Sequence, residues 1–248
     1  MNGASATIWI VVPCCNEAAR MPRDEFLRYA AEAERPVRFL WVDDGSSDGT
    51  AAVLADLAAR TGGRMIRLPG NCGKAEAVRQ GILLLQGEPE STIVGFWDAD
   101  LATPLETILP MAEVLQNRKL AMVMGSRWCH LGESVIRRRW SRHFIGRIFA
   151  FCVAQLLDSP VYDTQCGAKL FTLPVAGKLF ARPFVTRWFF DVEILRRLQM
   201  LTGTRDLSRQ VWEIPLPRWC DVPKSKVNML RAFWDFLLLL CRWRKLVV

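Results

Sequence analysis

The feature that most constrains this chain is a series of short apolar runs, each closing on polar residues and each separated from the next by a stretch with helical periodicity. Residues 8–13, 37–42, 65–68, 92–97 and 120–125 read as strands; 23–34, 50–61, 74–86 and 104–117 read as helices, the last with Pro104 in its first turn. Strands that alternate with helices are joined by crossovers, which gives a mostly parallel sheet with helices on both faces. Ligands of such sheets bind outside the carboxyl ends of the strands. The residues that follow each apolar run are therefore where chemistry is expected.

The clearest of these ends is Ile93-Val94-Gly95-Phe96-Trp97-Asp98-Ala99-Asp100. If the chain stays extended through Asp100, alternation places both carboxylates on one side. Paired oxygens of this kind suit a hard divalent cation, Mg²⁺ or Mn²⁺, that bridges them to a diphosphate. The plain alternative is a solvated turn that happens to hold two aspartates. Other strand ends are polar too. Val11-Val12-Pro13-Cys14-Cys15-Asn16-Glu17 closes the first, and Val42-Asp43-Asp44-Gly45-Ser46-Ser47-Asp48-Gly49-Thr50 the second. The second reads either as a turn with an N-cap or as a place where a carboxylate accepts hydrogen bonds from a base or ribose. Pro69-Gly70-Asn71-Cys72-Gly73-Lys74 precedes the third helix and is either a loop or a diphosphate contact at a helix N-terminus; it is not a P-loop. Each motif is weak alone, but together they line one crevice.

Composition narrows the class. A chain of 248 residues suits one large α/β domain with, at most, a small appendage. It is 51% hydrophobic with 23% charged residues, yet no run reaches the roughly 18 apolar residues of a spanning helix. Residues 1–7 do not read as a signal peptide. The eight cysteines show no CxxC pair and read as reduced, and two histidines leave little room for a Ser-His-Asp triad or a histidine metal site.

The net charge of +8 is concentrated after residue 127, where the chain also becomes more helical. Arg137, Arg138, Arg139, Arg142, His143 and Arg147 form one cluster, with Arg139, His143 and Arg147 in an i, i+4, i+8 stripe; Arg242, Arg244 and Lys245 form another. Such patches suit nucleic acid, anionic lipid or phosphate. Both adjoin Phe-, Leu- and Trp-rich stretches, which favours a membrane surface over nucleic acid. In the last helix Arg231, Asp235, Arg242 and Lys245 share one face, while Leu230, Phe233, Trp234, Leu237, Leu240 and Trp243 occupy the others. That helix either packs on the core or lies in the membrane interface.

The set VVPCCNE, VDDGSSDGT, GNCGKAEAVRQGI, FWDADLATP and GSR resembles the inverting glycosyltransferases of family 2. Asp163 to Phe171 (DTQCGAKLF), Arg187 to Glu193 (RWFFDVE) and Trp219 to Val227 resemble the polyprenyl-phosphate group, in particular its dolichyl-phosphate β-glucosyltransferase branch. The likeness runs from about residue 8 to 227. It implies a GT-A, Rossmann-like, mostly parallel sheet flanked by helices, with basic amphipathic membrane-surface helices in the C-terminal half. The expected division is a GT-A domain over 1–225, with acceptor- and membrane-facing elements at about 128–190, and an interfacial helix at 226–248.

The resemblance also implies a hexosyltransferase that moves sugar, glucose before others, from a UDP-sugar to a polyprenyl phosphate, as a peripheral protein on the cytoplasmic membrane face. GDP-mannose as donor, a polysaccharide or soluble acceptor, and a non-catalytic sugar-nucleotide- or lipid-binding protein are the alternatives. By the same likeness Asp98 and Asp100 hold the metal, and Asp98 also meets the donor. Pro13, Glu17, Asp43, Asp44, Asn71, Gly73 and Lys74 bind the sugar nucleotide. Arg127 with Arg137, Arg138, Arg139, Arg142 and Gln165 meets the acceptor phosphate. Asp191 belongs to the catalytic set in an orienting role. Family members carry Tyr at Cys15 and Gly at Ala75.

Overall fold

A computed structural model describes residues 6–127, 135–137, 153–159, 161–220 and 229–243, with backbone alone at 135–137, 218–220 and 229–233. The expected elements are present. β1 (Ile8–Cys14), β2 (Val37–Asp43), β3 (Arg64–Arg67), β4 (Ile93–Trp97) and β5 (Met122–Ser126) alternate with α1 (Arg23–Glu32), α2 (Thr50–Thr61), α3 (Lys74–Leu84) and α4 (Ile108–Asn117). Most boundaries move by a residue or two, and the start of α4 moves by four. Before α4, a 3₁₀ turn over Leu105–Thr107 intervenes, and the Thr107 hydroxyl donates to Pro104 O at 2.6 Å.

The second half adds β6 (Val135–Arg137), β7 (Ala168–Thr172), α5 (Leu173–Leu179), α6 (Phe190–Thr202), β8 (Val211–Pro215), β9 (Arg218–Cys220) and α7 (Met229–Arg242). The main sheet runs β3-β2-β1-β4-β7-β5-β8, and β6 and β9 form a separate parallel pair. β1 lies between β2 and β4, parallel to both, so the strand order reverses direction there. That reversal opens a crevice above the carboxyl ends of β1 and β4. β7 is antiparallel and sits between β4 and β5, so its beginning lies beside the end of β4: Trp97 pairs with Ala168. The insertion carries the 163–167 loop to the crevice.

Side chains alternate to two apolar layers. Trp9, Val11, Leu40, Val42, Val94 and Phe96 face α3, α5 and α6; Ile8, Ile10, Val12, Phe39, Trp41 and Trp97 face α1, α2 and α4. The last helix answers the question its sequence left open. On α7, Leu239 is buried, and Phe236 and Trp243 pack on the core, with Phe236 edge-on to Phe189. Trp243, just past α7 and one of the apolar residues for which the sequence left core and membrane open, lies under the Arg196 guanidinium. Trp234, Leu238 and Leu240 remain exposed.

α3 lies close against β1 and β2, and Gly81 is the reason it can. A Cβ at Gly81 would sit 2.5 Å from Val11 Cγ1 and 3.2 Å from Val42 Cγ2. Glycine to alanine in a helix ordinarily gains about 1 kcal/mol, and overpacking costs about 1–3 kcal/mol. Gly81→Ala should therefore lower stability in urea unfolding, and a more stable variant would contradict the packing described.

Candidate active site at the carboxyl ends of β1 and β4

The crevice is built by loops that hydrogen-bond one another. Asn16, at φ 52°, accepts the Ser47 N–H on Oδ1 at 2.8 Å, and its own N–H donates to Ser46 Oγ at 2.9 Å. Asp44 N–H donates to Cys14 O at 2.8 Å. The Asp44 carboxylate accepts Cys72 N–H at 2.6 Å and Gly73 N–H at 2.9 Å, so it anchors the Gly70–Lys74 loop. Gly45, at φ 63°, lets that loop come near, since a Cβ there would stand 2.4 Å from Gly70 C. Asp43 is fully buried; it accepts Ser46 N–H, and Arg67 Nε stands 3.1 Å away. Glu17 pairs with Arg20, and the Glu17 N–H donates to Thr50 Oγ1 at 2.7 Å. Pro13 lies next to last in β1, opposite Val42. Asn71 donates from Nδ2 to Cys15 Sγ at 3.1 Å.

The Asp98–Asp100 segment is a turn, not extended chain. β4 ends at Trp97, Leu101 N–H donates to Asp98 O at 3.2 Å, and the Trp97 indole closes the loop on Thr103 O at 2.9 Å. Strand alternation therefore does not bring the carboxylates together; the turn does. Burial, and then the charge of Asp98, push the Asp100 carboxyl above the ordinary carboxylate range, against Arg20 and Lys74. Gly167 is required beside them, because a Cβ there would lie 1.8 Å from Asp98 Oδ2.

Lys74, the first residue of α3, reaches Asp98 Oδ1 at 2.5 Å. Burial alone would lower its pKa, but Asp98 and Asp191 outweigh burial and raise it, so Lys74 stays charged. Beneath it lies a second pair, with Lys169 Nζ 2.5 Å from Asp191 Oδ1. Lys169 is fully buried in β7, donates to Cys166 O and stands 5.3 Å from the Phe96 ring centre. Burial raises the Asp191 carboxyl, and Lys169 and Lys74 pull it back. Asp191 is thus held in an ion pair inside the protein. Its neighbour Glu193 pairs with Arg197, also inside the protein.

On the far side of the crevice, Arg127 follows β5. Its Nε and Nη2 grip Asp163 at 2.7 and 2.6 Å, and its backbone N–H donates to the same carboxylate at 2.8 Å. Glu213 accepts the N–H groups of Tyr162 and Asp163 at 2.8 and 2.7 Å and so fixes the loop. Gln165 Nε2 in that loop is buried without a hydrogen-bond partner. The Cys166 thiol, pushed up to about 11 by burial and then by Asp163, stays protonated at neutral pH. Arg138, Arg139 and Arg142 lie outside the described residues, and of Arg137 only the backbone in β6 is described.

The structure thus gathers Glu17, Asp43, Asp44, Asn71, Gly73, Lys74, Asp98, Asp100, Arg127, Gln165 and Asp191 around one end of the sheet. Asp163, Lys169, Arg187 and Gly167 were not singled out as site residues from sequence, although motifs quoted there contain them. Lys169 carried a usable signal, a lone charge inside the apolar strand Ala168–Thr172.

Among the described residues no group of three or more His, Cys, Asp or Glu converges as a metal site. The Asp98–Asp100 pair nevertheless fits Mg²⁺ or Mn²⁺ bound jointly with a diphosphate. Its oxygens are hard donors, and Asp98 is partly open and already carries a cation, the Lys74 ammonium.

Removing one member of a buried ion pair costs about 3–5 kcal/mol, whereas replacing both by apolar groups is often neutral. Lys169→Met alone should strongly destabilise the protein in chemical denaturation, and Lys169→Met with Asp191→Leu should recover much of the loss. Equal stability of the single variant and the parent would show that the pair is not formed.

The sequence model for glycosyl transferase family 2 matches residues 9–180. Dolichyl-phosphate beta-glucosyltransferases from Mus musculus and Homo sapiens are each 33% identical over 248 residues, covering 92% of this chain and 71% of their own. The Dictyostelium discoideum enzyme of the same name is 32% identical over 234 residues, covering 88% of this chain and 68% of its own. Among solved structures, glucosyl-3-phosphoglycerate synthase from Mycobacterium tuberculosis, crystallised with Mn²⁺, UDP-glucose and phosphoglyceric acid, superposes with a TM-score of 0.67 at 18% identity. That superposition covers 96% of this chain and 80% of the other, and its fold agrees with the sheet and helix layers described above. The chain belongs to glycosyl transferase family 2.

Proposed function

We propose that this protein transfers glucose from UDP-glucose to the phosphate of a polyprenyl lipid, with inversion at the anomeric carbon, on a membrane surface. The observation that carries this reading is the Asp98–Asp100 turn with Lys74 against it, set at the strand-order reversal of a chain whose curated relatives are dolichyl-phosphate beta-glucosyltransferases.

The acceptor is a phosphate monoester with a second pKa of about 6, so near neutral pH it is already an anionic nucleophile. It needs positioning and charge neutralisation, not a strong base. Asp191, locked to Lys169, is accordingly free of any proton-accepting duty. Asp98 and Asp100 would hold Mg²⁺ or Mn²⁺, which when bound neutralises the diphosphate and stabilises its departure. Lys74 brings a fixed positive charge to the same place, where an anionic leaving group develops charge. The loops of Pro13, Glu17, Asp43, Asp44, Asn71 and Gly73 form the nucleotide side. Arg127, Gln165 and the basic segment at Arg137, Arg138, Arg139 and Arg142 form the acceptor side, with Arg suited to phosphate by its forked donors. In-line attack on an α-linked donor gives a β-linked lipid product.

The membrane-facing surface would include α7 with the segment from Arg137 to Val153, most of which lies outside the described residues. α7 is apolar on two sides: Phe236, Leu239 and Trp243 meet the core, and Trp234 and Leu238, one turn apart, face outward. A helix that needed only a core would not require the second stripe. Among the described residues no helix is long and apolar enough to cross a membrane.

Two measurements test this. With a polyprenyl phosphate and a panel of radiolabelled sugar nucleotides, UDP-glucose should outcompete GDP-mannose and the product should be the β-anomer by NMR. Asp98→Asn and Asp100→Asn should each lower transfer by about two to three orders of magnitude, the scale of losing a charge-stabilising group. An α-linked product would overturn the inverting mechanism. In vesicle sedimentation, Trp234→Ser with Leu238→Ser should weaken binding to anionic liposomes several-fold while leaving the melting temperature nearly unchanged. Leu239→Ser should instead destabilise the fold by about 2 kcal/mol or more, as expected for a buried leucine. Unchanged liposome binding by the double variant would remove α7 from the membrane surface.

A further inference from the structure

The RWFFDVE segment enters the proposed chemistry only through Asp191, yet its first residue makes the most elaborate contact in the donor crevice. Arg187 Nη2 donates to Asn71 O at 2.8 Å and to Asn71 Oδ1 at 2.7 Å. Its Nε donates to Cys72 O at 3.2 Å, and its own carbonyl accepts the Ala75 N–H at 3.4 Å. Gly73, at φ 96°, has no Cβ to obstruct this, and one added there would stand 2.5 Å from Arg187 Nε. The opposite edge of the same loop is held by Asp44, which accepts the N–H groups of Cys72 and Gly73. A guanidinium therefore holds the carbonyls and a carboxylate holds the amides of one short stretch, and the residue that follows is Lys74.

We propose that Arg187 is the positioning residue of the donor site: by clamping Asn71 and Cys72 against Asp44, it fixes the start of α3 so that Lys74 meets Asp98. The inference rests on the donor reading above. Arg187 sets the Lys74 backbone through the loop, and Asp191, four residues on, pairs with Lys169 on the floor of the same crevice. Arg187 is exposed, so removing its side chain leaves Asn71 and Cys72 carbonyls that water can satisfy. Loss of the clamp should thus be felt by the donor diphosphate and not by the fold. The planar fork matters, because an ammonium is a point donor and cannot span the two backbone carbonyls and the amide oxygen in one plane.

The test compares the wild type with Arg187→Ala and Arg187→Lys. Three quantities are read: the affinity for UDP with Mg²⁺ by calorimetry without acceptor, the KM for UDP-glucose and for a short polyprenyl phosphate, and the melting temperature. Arg187→Ala should weaken UDP binding and raise the donor KM about tenfold, with the acceptor KM and the melting temperature unchanged. Arg187→Lys should recover part of the donor affinity. Wild-type UDP affinity in Arg187→Ala, or an equal rise in both KM values, would overturn the proposal. A wild type that binds UDP but transfers to no polyprenyl phosphate would sink the acceptor reading and leave the calorimetric test of Arg187 standing.

Discussion

The site depends on one strand running the wrong way. β7 enters the sheet antiparallel between β4 and β5, with Ala168 opposite Trp97 and Lys169 opposite Phe96. Only an antiparallel neighbour can begin where β4 ends, since a parallel one would start at the far edge of the sheet. This register presses Gly167 against Asp98, brings the Asp98 N–H to Gly167 O at 3.1 Å, and sets Lys169 beneath the crevice floor. The acidic turn and the 163–167 loop are thereby one structure, although they are far apart in sequence.

What β7 delivers is charge, and buried charge needs compensation. Lys169 by itself would be costly in the interior, as would Asp191. Asp98, Lys74, Asp191 and Lys169 alternate in sign, so each ion has a partner: two close ion pairs, with the field of Asp191 reaching Lys74 as well. Both ammonium groups lie over the Phe96 ring, at 5.8 Å for Lys74 and 5.3 Å for Lys169, an arrangement that adds a modest attraction of cation to π-face. The outcome is a crevice whose floor holds fixed, oppositely signed groups. Such preorganisation costs nothing at the moment a leaving group develops charge.

Much of this was legible in the sequence, for physical reasons that also mark where legibility ends. The strand and helix alternation in the first half follows from local periodicity, and β1, β2, α2 and β4 fall where the pattern puts them. The Asp98–Asp100 pair stood out in the sequence, but its geometry was open between an extended chain and a turn, and Trp97 closing on Thr103 makes it a turn. β7 was visible as a motif and not as an antiparallel insertion, because no local pattern records which strand a segment will pair with. Asp44 was read either as part of a turn or as a ligand-binding carboxylate, and what the structure shows is that it anchors the Gly70–Lys74 loop. Arg187 gave no signal of these contacts, because two of its three acceptors are backbone carbonyls, which are the same for every residue type.

The Arg127 side of the crevice obeys a different electrostatic logic from the Lys74 side. Arg127 and Asp163 grip one another with three hydrogen bonds, so together they present an oriented dipole with little net charge. On the proposed reading, an acceptor phosphate must approach a diphosphate of like sign. The positive charge that makes this tolerable then has to come from beyond Arg127. The topology supplies a route. Leu216 N–H donates to Ser126 O at 2.9 Å, so the chain leaving β8 runs beside the end of β5 and continues into β9, which pairs with β6. β6 ends at Arg137, the first residue of the basic cluster. Arg137 is thus tied through β9 to the chain that leaves β8 beside the end of β5. A phosphate on a lipid tail, with its charge at headgroup level and its chain in the bilayer, is an acceptor to which basic side chains and the outward apolar face of α7 are chemically suited.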